Sequence, residues 1–146
     1  MSSAQLPFTL TIPSDLRMLS VARAFIEAVC QTEDMDRNTI HNIVLAIGEA
    51  VTNIIRHAHQ ERTEATIQVC CRLDSETVEI RLLDEGEPFD LNAVPFMDPG
   101  ELRVGGRGVY LMRALMDELT CRPLGTRGNE LRMVKRWRSP PVRECG

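Results

Sequence analysis

Apolar and polar positions change rhythm several times along the chain, and each change marks an element. "PFTLTIP", residues 7 to 13, is made of β-formers and stops at a proline, which predicts a short first strand. Ser14 offers an N-cap for a helix with Arg17 to Cys30 as its body, whose Leu16, Leu19, Ala22, Phe25, Ile26 and Val29 share one side. "TEDMD" supplies caps and acidic groups suited to the positive end of a second helix, running from about Asp36 to about His59. Its Ile43, Ile47, Ala50, Val51, Ile54 and Ala58 cluster on one face at 100° per residue.

"ATIQVCCRL" and "TVEIRLLD" then read as two strands joined across "DSE" as a hairpin. A Pro- and Gly-rich stretch of 24 residues follows, without any sustained period; segments that long inside a compact domain are usually functional or disordered. "RGVYLMRALMDEL" returns to helical spacing through Val109, Leu111, Met112, Leu115, Met116 and Leu119. "GNELRMVKRWR" alternates imperfectly through Leu131, Met133, Val134 and Trp137 as a terminal strand, and "LTCRPL" can supply one more. The predicted fold class is α+β: a mixed, largely antiparallel sheet with helices packed on one face.

Length and composition narrow the picture without changing it. At 146 residues, 43% apolar and 26% charged, the chain reads as one globular domain, 1–146, with a core at about 12–137 and a tail at 139–146. No apolar run approaches the roughly 20 residues that span a bilayer, and the N-terminus lacks an export signal, so a cytoplasmic location with no membrane contact is expected. The cysteines (Cys30, Cys70, Cys71, Cys121, Cys145) are odd in number and lack C-x-x-C spacing, which points to reduced structural thiols. Net charge is −4, yet from Thr120 onward seven basic residues stand against Glu130 and Glu144. Trp137 is the lone aromatic there, a poor stacking surface for bases. A charged edge strand resisting aggregation explains that segment better than direct nucleic-acid binding.

The candidate chemistry begins in "IGEAVTNIIRHAHQ". Glu49, Asn53 and His57 follow one another at four-residue steps, on a stripe drifting about 40° per step beside the apolar face. A carboxylate at such an edge costs desolvation energy unless it is paired or used. A stripe of this kind standing alone is most simply an amphipathic helix showing polar groups to water. Two further segments accompany it. "LLDEGEPFD" sets Asp84 at a strand end, able to accept a hydrogen bond from an exocyclic amine, with Gly86 allowing close approach to a flat ring. "VGGRGVYLM" puts Gly105, Gly106 and Gly108 at a helix mouth, where backbone N–H groups can meet a phosphate. Each segment alone is weak, since Asp and Gly make ordinary turns and G-G-x-G is neither a dinucleotide fingerprint nor a P-loop.

Together and in this order, "EAVTNIIRHAH", "DEGEPFD" and "GGRGVYLM" resemble the successive motifs of the Bergerat-fold (GHKL) ATPase superfamily. Within it the chain looks like the anti-sigma-factor serine/threonine kinases of bacterial partner-switching pathways, over roughly Ile12 to Trp137. The resemblance implies a Bergerat ATPase fold with ATP and Mg²⁺ as cofactors. It makes Glu49 the catalytic general base, Asn53 the Mg²⁺ ligand through its side-chain oxygen, Asp84 the adenine-binding acid and Gly86 its close-approach glycine. Gly105, Gly106 and Gly108 become lid glycines around the triphosphate, and Arg107 or Arg103 a guanidinium for the γ-phosphate. The stretch from about 87 to 106 becomes a closing lid. His57 falls at the nucleotide edge of the stripe, where a structural hydrogen-bonded role competes with ligand contact. Arg56 faces solvent or a partner.

Two positions depart from the family pattern. Glu87 adds a negative charge near the nucleotide, and "GNEL" stands where many relatives carry a Gly-Thr pair, leaving Asn129 as the hydrogen-bonding group at the adenine end. The implied activity is ATP-dependent phosphorylation of a serine on a small anti-sigma-antagonist (STAS-like) protein. A sigma factor would be the second partner, and the first strand and helix a surface for a partner or a homodimer. A nucleotide-gated binding module with little phosphotransfer is the alternative, and the intact Glu49 argues against it.

Overall fold

A computed structural model of the chain describes residues 7–58, 64–85, 106–125 and 128–138. The first strand, β1, is Phe8–Pro13. A short 3-10 turn at Leu16–Met18 leads into helix α1, Leu19–Cys30. The cap differs from the expected one. Asp15, not Ser14, is the last extended residue, and its Oδ1 accepts from the Arg17 N–H at 2.9 Å. Ser14 is buried, and its N–H donates to the Ala65 carbonyl at 2.8 Å, which fastens the end of β1 to the chain entering the next strand. With that backbone group committed to the sheet, the helix starts later than its hydrophobic spacing suggests.

Helix α2, Arg37–Asn53, begins at Asp36, whose side chain accepts from Thr39 N–H. It continues into a π-helical turn, Ile54–Ala58, rather than running as one α-helix to His59. Strands β2, Thr66–Leu73, and β3, Thr77–Asp84, form the expected hairpin. Asp74 builds its turn: Oδ1 accepts from the N–H groups of Glu76 and Thr77, and Oδ2 from the Thr77 hydroxyl. Trp137 covers the same turn by donating from Nε1 to the Asp74 carbonyl at 3.1 Å. Helix α3, Gly106–Leu115, then precedes β4, Glu118–Pro123, and β5, Asn129–Arg136.

The described strands form one sheet in the order β1-β2-β3-β5-β4, and every pair is antiparallel. The sheet is therefore not mixed among the described residues. The "LTCRPL" strand lies on the outer side of β5, so the chain returns down the edge instead of adding a parallel neighbour.

Alternation separates the faces. Ile67, Val69, Cys71 and Leu73 of β2 and Val78, Ile80 and Leu82 of β3 enter the core. There they meet Ala22, Ile26 and Val29 of α1, Ile43, Ile47, Ala50 and Val51 of α2, and Val109 and Met112 of α3. Helix α2 packs against both other helices. The opposite face carries Glu79, Arg81, Glu118, Arg122, Glu130 and Arg132, joined by ion pairs. Arg132 lies 2.7 Å from Glu79, and Arg81 lies 3.3 Å from Glu130. Val134 occupies that outer face too, opposite Glu79 and Glu118, which explains the broken alternation of the terminal strand. Two arginines of the basic C-terminal segment, Arg122 and Arg132, thus pair with acids of the sheet.

Burial pushes the Cys30 thiol up to about 11, and burial, reinforced by neighbouring thiols, pushes Cys71 up to about 12, as expected of structural cysteines. No helix among the described residues is long and apolar enough to cross a membrane.

Candidate nucleotide site

The polar stripe of α2 meets the glycine segment in space. Glu49 and Asn53 are half-buried on the last turns of α2, where a continuous apolar face turns the helix toward the core and leaves this stripe at its border. The start of α3 lies against them. A Cβ added at Gly108 would stand 2.9 Å from Asn53 Nδ2, 3.1 Å from Glu49 Oε2 and 3.3 Å from Asn53 Oδ1. Only a glycine fits that spot without moving one of the two side chains. The carboxylate, the carboxamide and the first turn of α3 therefore form a single cluster.

Two features shape the helix at this point. Thr52 Oγ1 donates back to the Gly48 carbonyl at 2.7 Å. Directly after Asn53 the hydrogen bonding widens into the π-helical turn, a distortion frequent at functional sites. Arg56 in that turn is exposed, as expected. Gly48 itself lies under the Arg23 guanidinium of α1, whose Nε and Nη2 would be 2.8 Å from an added Cβ. Helical spacing puts Arg23 on the outer side of α1 and carries no sign of this contact.

The second cluster sits at the end of the central strands. Asp84 follows Val78, Ile80 and Leu82 in alternation, so its side chain belongs to the helix-bearing face of the sheet, and the residue is 5% exposed. Asn129 is its direct partner in register on β5 and donates from Nδ2 to Asp84 Oδ1 at 3.4 Å. Before it, Gly128 adopts φ +100°, and a Cβ there would stand 2.7 Å from the Asp84 carbonyl oxygen. Gly128 is a site-shaping residue that composition alone marks only as turn chemistry. Its pressure on Asp84 depends on strand register.

The structure thus brings Glu49, Asn53 and Gly108 together, and separately Asp84 and Asn129. Gly106 opens α3. Gly86, Gly105 and most of the expected lid, with Glu87, Met97 and Arg103, lie outside the described residues, as do the side chains of His57 and Arg107 and the tail 139–146. Of the other methionines, Met112, Met116 and Met133 are buried packing residues.

As chemistry, Glu49 and Asn53 offer oxygen atoms one helical turn apart, the donor type that hard divalent cations prefer. Asp84 offers a buried acceptor at a strand end. The histidine kinase-like ATPase domain family matches residues 12–135, and the chain belongs to that family. Among individual proteins it is similar to the serine-protein kinase RsbW of Staphylococcus epidermidis, 29% identical over all of this chain and 96% of the relative. It is also similar to the RsbW of Listeria monocytogenes, 28% identical over 76% of each chain. Among solved structures, the RsbU and RsbW domains of a Mycobacterium tuberculosis protein superpose with a TM-score of 0.67 at 20% identity, covering 93% of this chain and 34% of that one. The histidine kinase domain of a blue-light-activated kinase from Erythrobacter litoralis gives 0.52 at 22% identity, covering 86% and 62%. These two likenesses bear on the fold alone, an α+β domain whose sheet carries helices on one face.

Proposed function

We propose that this chain is an ATP- and Mg²⁺-dependent protein-serine kinase and anti-sigma factor. It phosphorylates a serine on a small anti-sigma-antagonist (STAS-like) protein and holds a sigma factor as its alternative partner, in the cytoplasm. The observation that carries this reading is the convergence of Glu49 and Asn53 on the backbone at Gly108. The serine-protein kinases to which the chain is similar support it.

In this mechanism Asp84 accepts a hydrogen bond from the exocyclic amine of adenine. Backbone N–H groups at the start of α3, around Gly106 and Gly108, face the phosphates, and Arg107 adds positive charge to the group in transfer. Asn53 would hold Mg²⁺ through its side-chain oxygen, and the ion would supply positive charge that offsets the charge of the phosphates. Glu49 orients the incoming serine hydroxyl and takes its proton as the new O–P bond forms. The surface of β1 and α1 serves a partner or a second copy of the chain.

The test is phosphotransfer from [γ-³²P]ATP to a candidate antagonist domain. Labelled serine is expected, and Glu49→Ala should lower the rate by about 10²- to 10⁴-fold with ATP affinity little changed. Bound nucleotide without any serine phosphate rejects the kinase and leaves a nucleotide-gated binding module in its place.

A further inference from the structure

Gly48 stands in the interior of α2, where glycine is an unfavourable residue. Its missing side chain admits the Arg23 guanidinium from α1: Nε and Nη2 would lie 2.8 Å, and Cζ 3.2 Å, from a Cβ at that position. The cation is thus held across the two helices, against the residue that precedes Glu49, while Arg23 stays exposed. Its guanidinium makes no hydrogen bond or ion pair with any described residue. Leu45, 42% exposed, lies one turn before Glu49 on the same stripe. An exposed leucine by itself is ordinary. This one is three residues from Gly48 and four from Glu49, so it borders both the held cation and the base on the helix surface. The other exposed large apolar side chains lie elsewhere. Phe8 is on β1, and Val21 is about 200° around α1 from Arg23.

Few approaches to Glu49 are left open. Its neighbours Ala46 and Ala50 are buried, and Gly108 of α3 stands against its carboxylate. Among the described residues, the outward side of α2, with Leu45 and Thr52, is the open one. A segment that carries a serine to Glu49 crosses that side. We propose that Arg23 and Leu45 form a docking site for the phosphoacceptor protein, in which Leu45 receives an apolar side chain and Arg23 a carboxylate from the segment around the serine. The inference rests on the reading of the chain as a protein-serine kinase with Glu49 as its base. It adds what that kinase asks of its substrate: an acidic and an apolar residue close to the serine. The contact with Gly48 already places the guanidinium, so little ordering remains to be done when the carboxylate arrives.

Steady-state phosphotransfer by the full chain tests it, at saturating ATP and Mg²⁺, with the antagonist domain labelled in the kinase assay as the varied substrate. Arg23→Ala and Leu45→Ala should each raise KM for that domain about three- to tenfold, with kcat and calorimetric ATP affinity close to wild type. Arg23→Glu should raise it on the order of thirtyfold, because the carboxylate then meets a like charge. Arg23→Lys keeps the charge and should recover most of the loss. KM should climb with NaCl for the wild type and less steeply for Arg23→Ala. A packing role alone would lower the melting midpoint and leave KM and its salt dependence in place, which overturns the proposal. So does a fall in kcat at constant KM, since Arg23 would then act only as a support for Glu49. A changed oligomeric state with KM unmoved assigns the patch to a second copy of the chain and is equally fatal. Leu45→Ala, on the other helix, decides the matter if Arg23→Ala does not fold. A domain that wild-type protein never labels brings down the kinase reading and this inference together. A domain labelled with the wild-type KM by every variant removes this inference alone.

Discussion

Gly108 shows how one missing side chain joins two motifs. Its Cα lies where any added carbon would push on both Asn53 and Glu49, so Gly108→Ala should disturb the chemistry far more than the fold. Alanine near the start of a helix is favoured over glycine by up to about 1 kcal/mol, which offsets part of the local strain. A misplacement of the base or the amide by about an ångström costs on the order of a hundredfold in rate. The expected result is phosphotransfer reduced about a hundredfold, with a melting midpoint close to that of the wild type. Full activity in this variant would place the chemistry elsewhere. Glu49, Asn53 and Asp84 are legible in the sequence because motif order and helical spacing single them out. Arg23 against Gly48 and Gly128 against Asp84 are not, because each contact joins residues distant in the chain.

Among the elements, the β2–β3 hairpin depends most on a single side chain. Burial pushes the Asp74 carboxyl up, but hydrogen bonds from the Glu76 and Thr77 N–H groups and the Thr77 hydroxyl outweigh it and hold the group below its ordinary value. A lowered folded-state pKa contributes stability that is fully present above the unfolded value of about 3.9 and is lost as pH falls through the folded one. Asp74→Ala should therefore cost about 1 kcal/mol near neutral pH, read as a fall of about 2–4 °C in melting midpoint. The gap between variant and wild type should close in acid below about pH 4. A gap unchanged at pH 2.5 would show that the carboxylate is not what holds the turn. Element boundaries were harder to read than element types, for physical reasons. The commitment of the Ser14 N–H to the sheet delays α1, and the π-helical turn ends α2 early. The first follows from a neighbouring strand rather than from local propensity.

Taken whole, the molecule has a dry helix-bearing side and a charged open side. On the open side Glu130 receives both Arg81 and Arg122 and is itself only 7% exposed, while the two arginines are 40% and 71% exposed. Water screens both partners, so the pairs are worth less than their number suggests. Glu130→Gln should lower stability by about 1 kcal/mol at low salt, and the loss should shrink in 1 M NaCl. Denaturant melts at two salt concentrations measure this; a loss that does not depend on salt would point to packing instead of charge. Of the seven basic residues near the C-terminus, Arg122 and Arg132 are paired with acids of the sheet in this way. The local excess of positive charge there, seen only as composition, resembles a binding patch.

The linear chain by itself determined the order and type of most elements, the buried faces of helix and strand, and the three polar motifs. Side-chain period dictates which side of each element avoids water, and the period is written locally. Only the tertiary structure decided that the sheet is antiparallel throughout its described strands, that Gly108 rests on Glu49 and Asn53, and that Asn129 stands beside Asp84. Those outcomes depend on strand register and helix packing, in which a shift of one residue would turn each of these side chains away from its partner.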